Sequence, residues 1–314
     1  MDTRAAAAVA VTLVFWSSAF TLIRIGLRAL GPGELALARY LVASLAFAAI
    51  ALVTRMPLPR REDLGRVFVL GVTGIALYHT ALNFGEVSVP AGTASLIIGT
   101  APAFTALLSH RLLGERLTGW GWTGILVSFA GIALISAGAG GGPSGDAGGL
   151  GMPAGALAVL IAAIATSVFF VLQKPLYRRY GSLQLTAYFS WAGTLPMLVF
   201  APGLARQAAS LPADALLAVV YLGLFPSAVA YVAWAYALSR APAGHVTSLL
   251  YLNPPLALLI AWLALGEVPS GLELAGGALA IAGVVMVQRP GRPAAGKATI
   301  PARMMPAAPR RPGA

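Results

Sequence analysis

The chain has 314 residues, of which 58% are hydrophobic and only 10% are charged, far below the roughly 25% charge of typical soluble domains. This composition excludes an ordinary water-soluble domain and indicates a protein whose surface faces lipid. The formal net charge is +11 and cysteine is absent, but the cations cluster at the ends of apolar runs. We therefore predict no nucleic-acid partner, no disulfide bond and no thiol chemistry.

Ten apolar runs are long enough to cross a membrane as helices. A hydrocarbon core about 30 Å thick requires roughly 20 apolar residues per helix, and every backbone polar group inside it must be paired. The runs are rich in alanine and leucine and lack the apolar/polar alternation of an outer-membrane barrel. We therefore predict an all-α membrane protein with ten transmembrane helices. The predicted spans are 5–27, 35–53, 66–85, 92–112, 119–138, 153–173, 183–201, 214–238, 244–265 and 271–288.

The distribution of cations orients these helices. If both termini are cytoplasmic, seventeen of the 21 lysine and arginine residues lie on cytoplasmic connections or tails, and only Arg28 and Arg206 lie on outside connections. The positive-inside rule therefore predicts that both termini are cytoplasmic. Residues 289–314 mix arginine with proline, glycine and alanine, which predicts a disordered basic cytoplasmic tail. This tail either contacts anionic lipid or acts only as a topology signal.

The chain contains an internal repeat, because residues 70–134 align without a gap to residues 222–286 at a shift of 152. The matches other than alanine and leucine are Gly71/Gly223, Pro90/Pro242, Gly92/Gly244, Pro102/Pro254, Gly114/Gly266, Glu115/Glu267, Gly119/Gly271, Gly124/Gly276 and Gly131/Gly283. We predict a first repeat over 1–138, a glycine-rich external linker over 139–151 and a second repeat over 152–288. Because five helices per half is an odd number, the second half enters the membrane from the opposite side, and the repeats are inverted.

Several short motifs resemble the EamA-type domain of the drug/metabolite transporter superfamily, and the resemblance covers roughly residues 5–288. The motifs are Trp16-Ser17, where the family often has Trp-Gly, Arg39-Tyr40, similar to its Arg-Phe, PAGTAS at 90–95, APAF at 101–104, LLGERL at 112–117, APAG at 241–244, NPP at 253–255 and LGE at 265–267. The resemblance implies a ten-helix carrier of the bacterial inner membrane. Such carriers commonly export amino acids, other metabolites or drugs without hydrolysing ATP.

Polar and aromatic side chains within the spans are the candidates for a substrate-binding cavity, because polar groups are costly in lipid unless they face a cavity or a partner. They are Ser17, Thr21, Tyr78, His79, Asn83, Trp191, Tyr231, Trp234, Tyr251 and Asn253. His79 either binds a substrate carboxylate or exchanges a proton, or it is a neutral histidine hydrogen-bonded between helices. Aromatic residues at helix ends more often form interfacial belts, but Tyr231 and Trp234 are central enough to favour a pocket.

Prolines predict breaks in two of the helices. Pro102 lies in the fourth span, and Pro254 and Pro255 lie in the ninth. A proline removes a backbone donor, so we expect kinks with unpaired carbonyl groups nearby. Those carbonyls could hold an ammonium group, or the kinks could serve as gating hinges. Both interpretations stay open.

Two arginines within the spans are expected to be structural. Arg24 and Arg39 lie near the outer ends of their spans, where a long side chain can reach the interface. At a helix centre each would cost about 2.5–3.5 kcal/mol, so deep placement would require a partner. Glu34, five residues before Arg39, is the expected partner.

Three glutamates are expected at helix ends. Glu86 follows the third span, where we expect it to be solvated. Glu115 and Glu267 are equivalent in the repeat and are therefore expected at opposite faces of the membrane. Each is predicted to have a structural role, either capping the next helix or pairing with a nearby cation such as Arg116.

These patterns favour a transporter over other classes of protein. No metal-ligand spacing and no phosphate-binding loop occur, so we predict no metal, no cofactor and no direct coupling to ATP. An intramembrane enzyme is a remote alternative, because His79 and Glu86 are seven residues apart, roughly 10 Å along a helix.

We predict a monomeric secondary transporter that works by alternating access on a small-molecule amphiphile such as an amino acid. Coupling to protons is left open. A multidrug carrier, or a nucleotide- or sugar-type carrier of the same fold, is the alternative. The structural alternative is that the duplication behind the repeat only produced a stable helix bundle and does not indicate transport.

Overall fold

The computed structural model of the chain describes residues 3–113, 117, 119–139, 154–240 and 249–288. Within these residues all regular structure is helical. Glu115, residues 140–151 of the predicted linker and the predicted tail lie outside the described residues. The α-helices are α1 (Thr3–Gly26), α2 (Pro32–Thr54), α3 (Leu64–Gly71), α4 (Tyr78–Glu86), α5 (Ala91–Ile98), α6 (Ala101–Leu113), α7 (Gly119–Ala139), α8 (Ala154–Leu172), α9 (Ser182–Met197), α10 (Ala201–Ala208), α11 (Ala213–Leu224), α12 (Ala230–Arg240), α13 (Asn253–Leu265) and α14 (Gly271–Gln288).

Seven stretches of the described chain are long and apolar enough to cross a membrane. They are Thr3–Gly26, Pro32–Thr54, Arg61–Glu86, Ala91–Leu108, Gly119–Gly138, Ala154–Arg178 and Ala213–Trp234, and shorter apolar helices follow at Leu249–Leu265 and Gly271–Val287. The all-α prediction is confirmed for the described residues. The seventh predicted span, 183–201, is not among these stretches, although it is helical throughout, as α9, a 3₁₀ turn at Leu198–Phe200 and the start of α10. The ninth predicted span begins in residues that are not described.

Two of the long helical stretches contain a π-helical turn that the sequence analysis did not predict. Val72–Leu77 connects α3 to α4, and Phe225–Val229 connects α11 to α12. The two turns occupy nearly equivalent positions at the repeat shift of 152. Pro226 is the second residue of the second turn, whereas the first turn contains no proline. A π-turn adds a residue to the helical turn and re-aims the side chains that follow, here Tyr78 and Tyr231.

The predicted prolines lie at the starts of helices, whereas kinks with unpaired carbonyl groups stay a prediction. In the first half, α5 ends at Ile98 and α6 begins one residue before Pro102. In the second half, a 3₁₀ turn at Leu249–Leu252 precedes α13, whose first turn contains Pro254 and Pro255. A proline in the first turn costs no intrahelical hydrogen bond, because that N–H has no partner there in any case.

The last helices of the two halves, α7 and α14, pack closely through glycines. A Cβ added at Gly131 would lie 2.5 Å from the backbone nitrogen of Ala280 and 2.6 Å from the carbonyl oxygen of Gly276. The Ser128 hydroxyl donates to the carbonyl of Ala280 at 3.1 Å. Small residues let helix backbones approach in this way, so van der Waals contact and hydrogen bonding hold the pair together.

The first helix joins the two halves at the centre of the bundle. α1 packs against α11, α12 and α13, all from the second half. The Thr12 hydroxyl donates to the carbonyl of Ala230 at 3.2 Å, and the Trp16 indole donates to the carbonyl of Pro226 at 3.1 Å. Helix α1 of the first half therefore packs directly against helices of the second half.

Replacing Gly131 by alanine should destabilise the protein by about 1–3 kcal/mol, because the added methyl group meets backbone atoms that cannot move aside. Gly119→Ala in the same helix is the matched control, since a Cβ there meets nothing within 4 Å. Thermal unfolding of the purified protein in detergent, followed by tryptophan fluorescence, measures both effects. Equal transition midpoints for the two variants would contradict the packing described here.

Candidate functional site

A cavity of about 810 Å³ lies between helices of the two halves. This volume is within the range of roughly 300–1,000 Å³ that is usual for small-molecule sites. Most of its wall is apolar. The polar and aromatic residues on the wall include Trp16, Arg39, Tyr78, His79, Gln173, Tyr177, Tyr231, Trp234, Tyr251 and Asn253.

The structure brings part of the predicted site to this cavity and places the rest behind its wall. Of the predicted substrate-binding residues, those that line the cavity are Tyr78, His79, Tyr231, Trp234, Tyr251 and Asn253. Two of the three predicted hinge residues, Pro102 and Pro254, line it as well. The predicted residues that do not line it are Ser17, Thr21, Asn83, Trp191 and Pro255.

Three of the residues behind the wall form hydrogen bonds to other parts of the bundle, and one of them, Ser17, contacts a residue on the wall. The Ser17 hydroxyl lies 2.5 Å from Oδ1 of Asn253 and donates to it, which orients that amide. The Asn83 amide donates to the carbonyl of Pro32 at 3.0 Å, and the Trp191 indole donates to the carbonyl of Ser44 at 3.1 Å. Asn83 and Trp191 therefore hold helices together, as polar side chains in membrane proteins generally do when they do not face a cavity.

His79 is held by tyrosines from two helices. Its Nε2 atom lies 2.5 Å from the hydroxyl oxygen of Tyr40 in a buried hydrogen bond, and the Tyr78 ring lies edge-on at a centroid distance of 4.5 Å. Its Nδ1 atom has no hydrogen-bond partner among the described residues. One ring nitrogen of His79 therefore joins two helices, and binding of a ligand or a proton by the other stays a prediction.

Arg39 differs from its prediction. It was expected to reach the outer interface and pair with Glu34, but its residue is only 2% exposed and lines the cavity. Nη2 donates to the Ser227 hydroxyl at 3.2 Å, and the guanidinium carbon lies 5.7 Å from the centroid of the Tyr40 ring. The prediction failed because the outer part of α2 is covered by neighbouring helices, including the π-turn that contains Ser227.

An aromatic cluster from both halves forms another part of the wall. Trp16 of α1 lies 5.4 Å from Tyr231 and 5.5 Å from Trp234, measured between ring centroids. Tyr231 and Trp234 are predicted from the sequence to line a pocket, whereas Trp16 is identified there only as part of a family motif. Its position at the middle of an apolar span was the signal that could have included it.

At one end of the bundle, an ion pair joins the two halves. Nε of Arg24, near the end of α1, lies 3.1 Å from Oε1 of Glu267, which follows α13. The other carboxylate oxygen of Glu267 accepts a hydrogen bond from the backbone N–H of Ala91 at 2.8 Å, so it caps the start of α5. We call these contacts the Arg24–Glu267 closure.

Glu267 therefore does not cap the helix that follows it. Ser270 and Glu273 form that cap, since the Ser270 N–H donates to Oε2 of Glu273 at 2.6 Å and the Glu273 N–H donates to the Ser270 hydroxyl at 3.2 Å. This reciprocal arrangement is a capping box.

Glu86 is buried rather than solvated. It is 0% exposed, and neither carboxylate oxygen has a hydrogen-bond partner among the described residues. Arg24 donates to its backbone carbonyl at 2.6 Å rather than to its side chain. The expectation of a solvated helix end was wrong because the end of α4 lies beneath the Arg24–Glu267 closure.

The cavity extends toward the opposite end of the bundle. There Tyr177, which is 46% exposed, and Gln173 lie on its wall. Nearby, the carboxylate of Asp63 is 1% exposed and receives hydrogen bonds from Nη1 of Arg179 at 3.1 Å and from the Tyr180 hydroxyl at 2.8 Å. These contacts tie the segment before α3 to the segment after α8 without crossing the cavity.

Among the described residues, no group of three or more histidine, aspartate or glutamate side chains is arranged to hold a metal ion. What the cavity offers is a guanidinium group, a histidine nitrogen, hydroxyl groups and aromatic faces. Such a site can bind an amphiphilic solute.

Comparison with known proteins gives consistent results. A model of the EamA-like transporter family matches residues 3–137 and again residues 153–289. The chain is 42% identical over 282 residues to a probable terminal-alkyne amino-acid exporter of Streptantibioticus cattleyicolor, covering 90% of this chain and 92% of that protein. It is 41% identical over 269 residues to the uncharacterized transporter YdfC of Bacillus subtilis, covering 86% of each.

More distant similarities agree. A probable amino-acid metabolite efflux pump of Salmonella typhimurium is 26% identical over 284 residues, which cover 87% of this chain and 91% of that one. A solved structure, titled only as the crystal structure of a protein, aligns with a TM-score of 0.60 at 23% identity, covering 91% of this chain and 96% of that chain. The structural match shows a shared fold.

Replacing Tyr40 by phenylalanine should destabilise the protein by about 1–3 kcal/mol, because it leaves the buried Nε2 atom of His79 without a partner. Tyr177→Phe is the matched control, since that hydroxyl bonds to Gln173 at the exposed end of the cavity, and its loss should change stability by less than about 0.5 kcal/mol. Thermal unfolding in detergent compares the two. A Tyr40 variant as stable as the Tyr177 variant would contradict the buried hydrogen bond.

Proposed function

The chain belongs to the EamA-like transporter family, and from this premise we propose that it exports an amino acid or a related small amphiphile across the bacterial plasma membrane by alternating access. Membrane transport of a metabolite is common to the named functions of its relatives, and two of those relatives are described as amino-acid or amino-acid metabolite exporters. The solute class, the direction of flux and the mechanism are the proposal.

The cavity between the two halves is the observation that carries this proposal. Its wall combines an aromatic cluster with a few polar groups, which suits a solute that has both apolar and polar parts. A site at the interface of two related halves is where alternating access requires it, because rocking of one half against the other changes which end is open.

The contact between α7 and α14 supports an inverted duplication. Gly124 is equivalent to Gly276 at the repeat shift, and Gly131 is equivalent to Gly283. Yet a Cβ at Gly124 would lie 2.5 Å from the carbonyl oxygen of Gly283, and Gly131 faces Gly276. Gly124 therefore meets the equivalent of Gly131, and Gly131 meets the equivalent of Gly124. A two-fold axis relating antiparallel helices produces this exchange, and Ser128, which bonds to its own equivalent Ala280, lies near the axis.

The two ends of the bundle differ in a way that fits one state of a transport cycle. The Arg24–Glu267 closure holds one end, whereas the cavity reaches the other end at Tyr177. With both termini in the cytoplasm, as the cation distribution predicts, the closure lies at the outer face and the cavity reaches the cytoplasm. This is the state in which an exporter loads its solute.

Counterflow in liposomes tests the function. Proteoliposomes preloaded with unlabelled amino acids should take up labelled amino acid without chemical change. Trp234→Ala should lower the rate at sub-saturating solute by about tenfold or more, because an aromatic wall contributes roughly 1.5–3 kcal/mol of apolar contact. The matched control is Trp262→Ala, whose side chain is exposed on the outer surface of α13, and it should retain flux. Chemical conversion without flux would contradict a carrier.

Single cysteines test the orientation, and the absence of native cysteine means that labelling has no background. A membrane-impermeant maleimide applied to intact spheroplasts should label Arg206→Cys, which is exposed at the predicted outer face. Arg60→Cys, exposed at the predicted inner face, should be labelled only after permeabilisation. The reverse pattern would place the termini outside and turn the loading end of the cavity outward.

A further inference from the structure

The guanidinium group of Arg39 is buried in the wall of the cavity with two of its three nitrogens unsatisfied. Nη2 donates to Ser227, but Nε and Nη1 have no hydrogen-bond partner among the described residues. A buried charge that lacks both water and a counterion costs several kcal/mol, and in membrane proteins such groups usually mark a binding site or an ion pathway. Nε carries one N–H group and Nη1 carries two, so the guanidinium group keeps three unpaired donors for the oxygens of a carboxylate.

The cavity supplies no counterion of its own. Among the described lining residues, Arg39 is the only lysine, arginine, aspartate or glutamate. A ligand that enters this cavity therefore meets a single positive charge in surroundings of low dielectric constant, where an opposite charge on the ligand is strongly favoured.

Glu86 is a buried carboxylate, but it is not the ion-pair partner of Arg39. Its oxygens do not come within 4.0 Å of the Arg39 nitrogens, and it is not among the residues lining the cavity. Glu34 is directed elsewhere, against Gly31 and Gly203. Neither carboxylate is therefore placed to form an ion pair with Arg39.

The remaining features of the wall define the rest of the ligand. The cluster of Trp16, Tyr231 and Trp234 offers aromatic faces, and it lines the same cavity as Arg39. His79 and Tyr251 each add one polar atom without a partner, Nδ1 and the hydroxyl oxygen respectively. A small solute can place a charged group against Arg39 and an apolar group against the rings.

We infer that Arg39 binds the carboxylate of the transported solute, so that the cavity selects carboxylates with an apolar side chain over their amides and amines. This assignment rests on the proposed function, because it names the solute class of the same cavity. It also gives Arg39 a role in place of the structural pairing that the sequence suggested.

Binding to the full-length protein in lipid nanodiscs tests the assignment without requiring transport. L-Leucine and L-phenylalanine are compared with L-leucine amide and L-phenylalanine amide by isothermal titration calorimetry, and the fluorescence of the cavity tryptophans provides a second signal. The wild-type protein should bind at least one acid about 10- to 100-fold more tightly than its amide, which is the change in Kd expected for a hydrogen bond to a charged partner.

Three variants locate this selectivity. Arg39→Gln should weaken binding of the acid by about 10- to 100-fold and bring the ratio of acid to amide affinity close to one. Arg39→Lys keeps the charge but loses the planar fork, so its ratio should be intermediate. Arg66→Gln is the matched control on an exposed arginine and should leave the ratio unchanged. The comparison of acid with amide in the wild-type protein stands even if an Arg39 variant does not fold.

The assignment is overturned if the acids and amides bind the wild-type protein equally, if no acid binds, or if Arg39→Gln retains the wild-type ratio. These outcomes are separable from failure of the proposed function. Selective, Arg39-dependent binding without counterflow would reject the transporter and keep the site, whereas counterflow that is indifferent to the carboxylate and to Arg39 would keep the transporter and reject the site.

Discussion

A polar group in the interior of a lipid bilayer has no water to pair with, so it must find its partner within the protein. This constraint explains most of the contacts between the helices. Hydroxyl and indole groups of α1 donate to backbone carbonyls of the second half at Ala230 and Pro226, and the Ser167 hydroxyl of α8 donates to the carbonyl of Ala101. Each of these carbonyls belongs to a π-turn, a helix start or a residue next to one, where the regular hydrogen-bond pattern is interrupted.

Some of the buried polar groups that find no partner within the described residues lie on the cavity wall. Nε and Nη1 of Arg39, Nδ1 of His79 and the hydroxyl of Tyr251 have no partner among the described residues, and all three side chains line the cavity. Helix irregularities from both halves lie beside this region, because the π-turns precede Tyr78 and Tyr231 and the proline breaks place Pro102 and Pro254 on the wall. The irregular backbone and these unsatisfied groups therefore lie in the same part of the molecule, as the proposed binding site requires.

Around this centre, the bundle is held by contacts of two physical kinds. Between α7 and α14 the two backbones are in direct contact at glycines, so a Cβ atom added at those glycines would clash with the other helix. At the end of α1 the Arg24–Glu267 closure is partly exposed, and ion pairs in such surroundings contribute little stability. A rigid contact at one side of the bundle and a weak one at its end fit the proposed alternating access, in which the two halves move relative to each other.

The sequence by itself determined the helical character of the chain, the positions of most helices and the internal repeat. These features depend on composition, on the length of apolar runs and on local backbone chemistry, all of which act between residues close together in the chain. It also pointed to His79, Tyr231 and Trp234, because polar or aromatic side chains in the middle of an apolar span are conspicuous.

Only the tertiary structure decided where Arg39, Glu86 and Glu267 lie. The sequence placed all three at helix ends, and distance along one helix suggested an interface or solvent. Their surroundings come instead from other helices: Ser227 is 188 residues from Arg39, and Glu267 is 243 residues from Arg24. Burial and charge pairing of this kind depend on how helices pack in three dimensions, and no local pattern of residues carries that information.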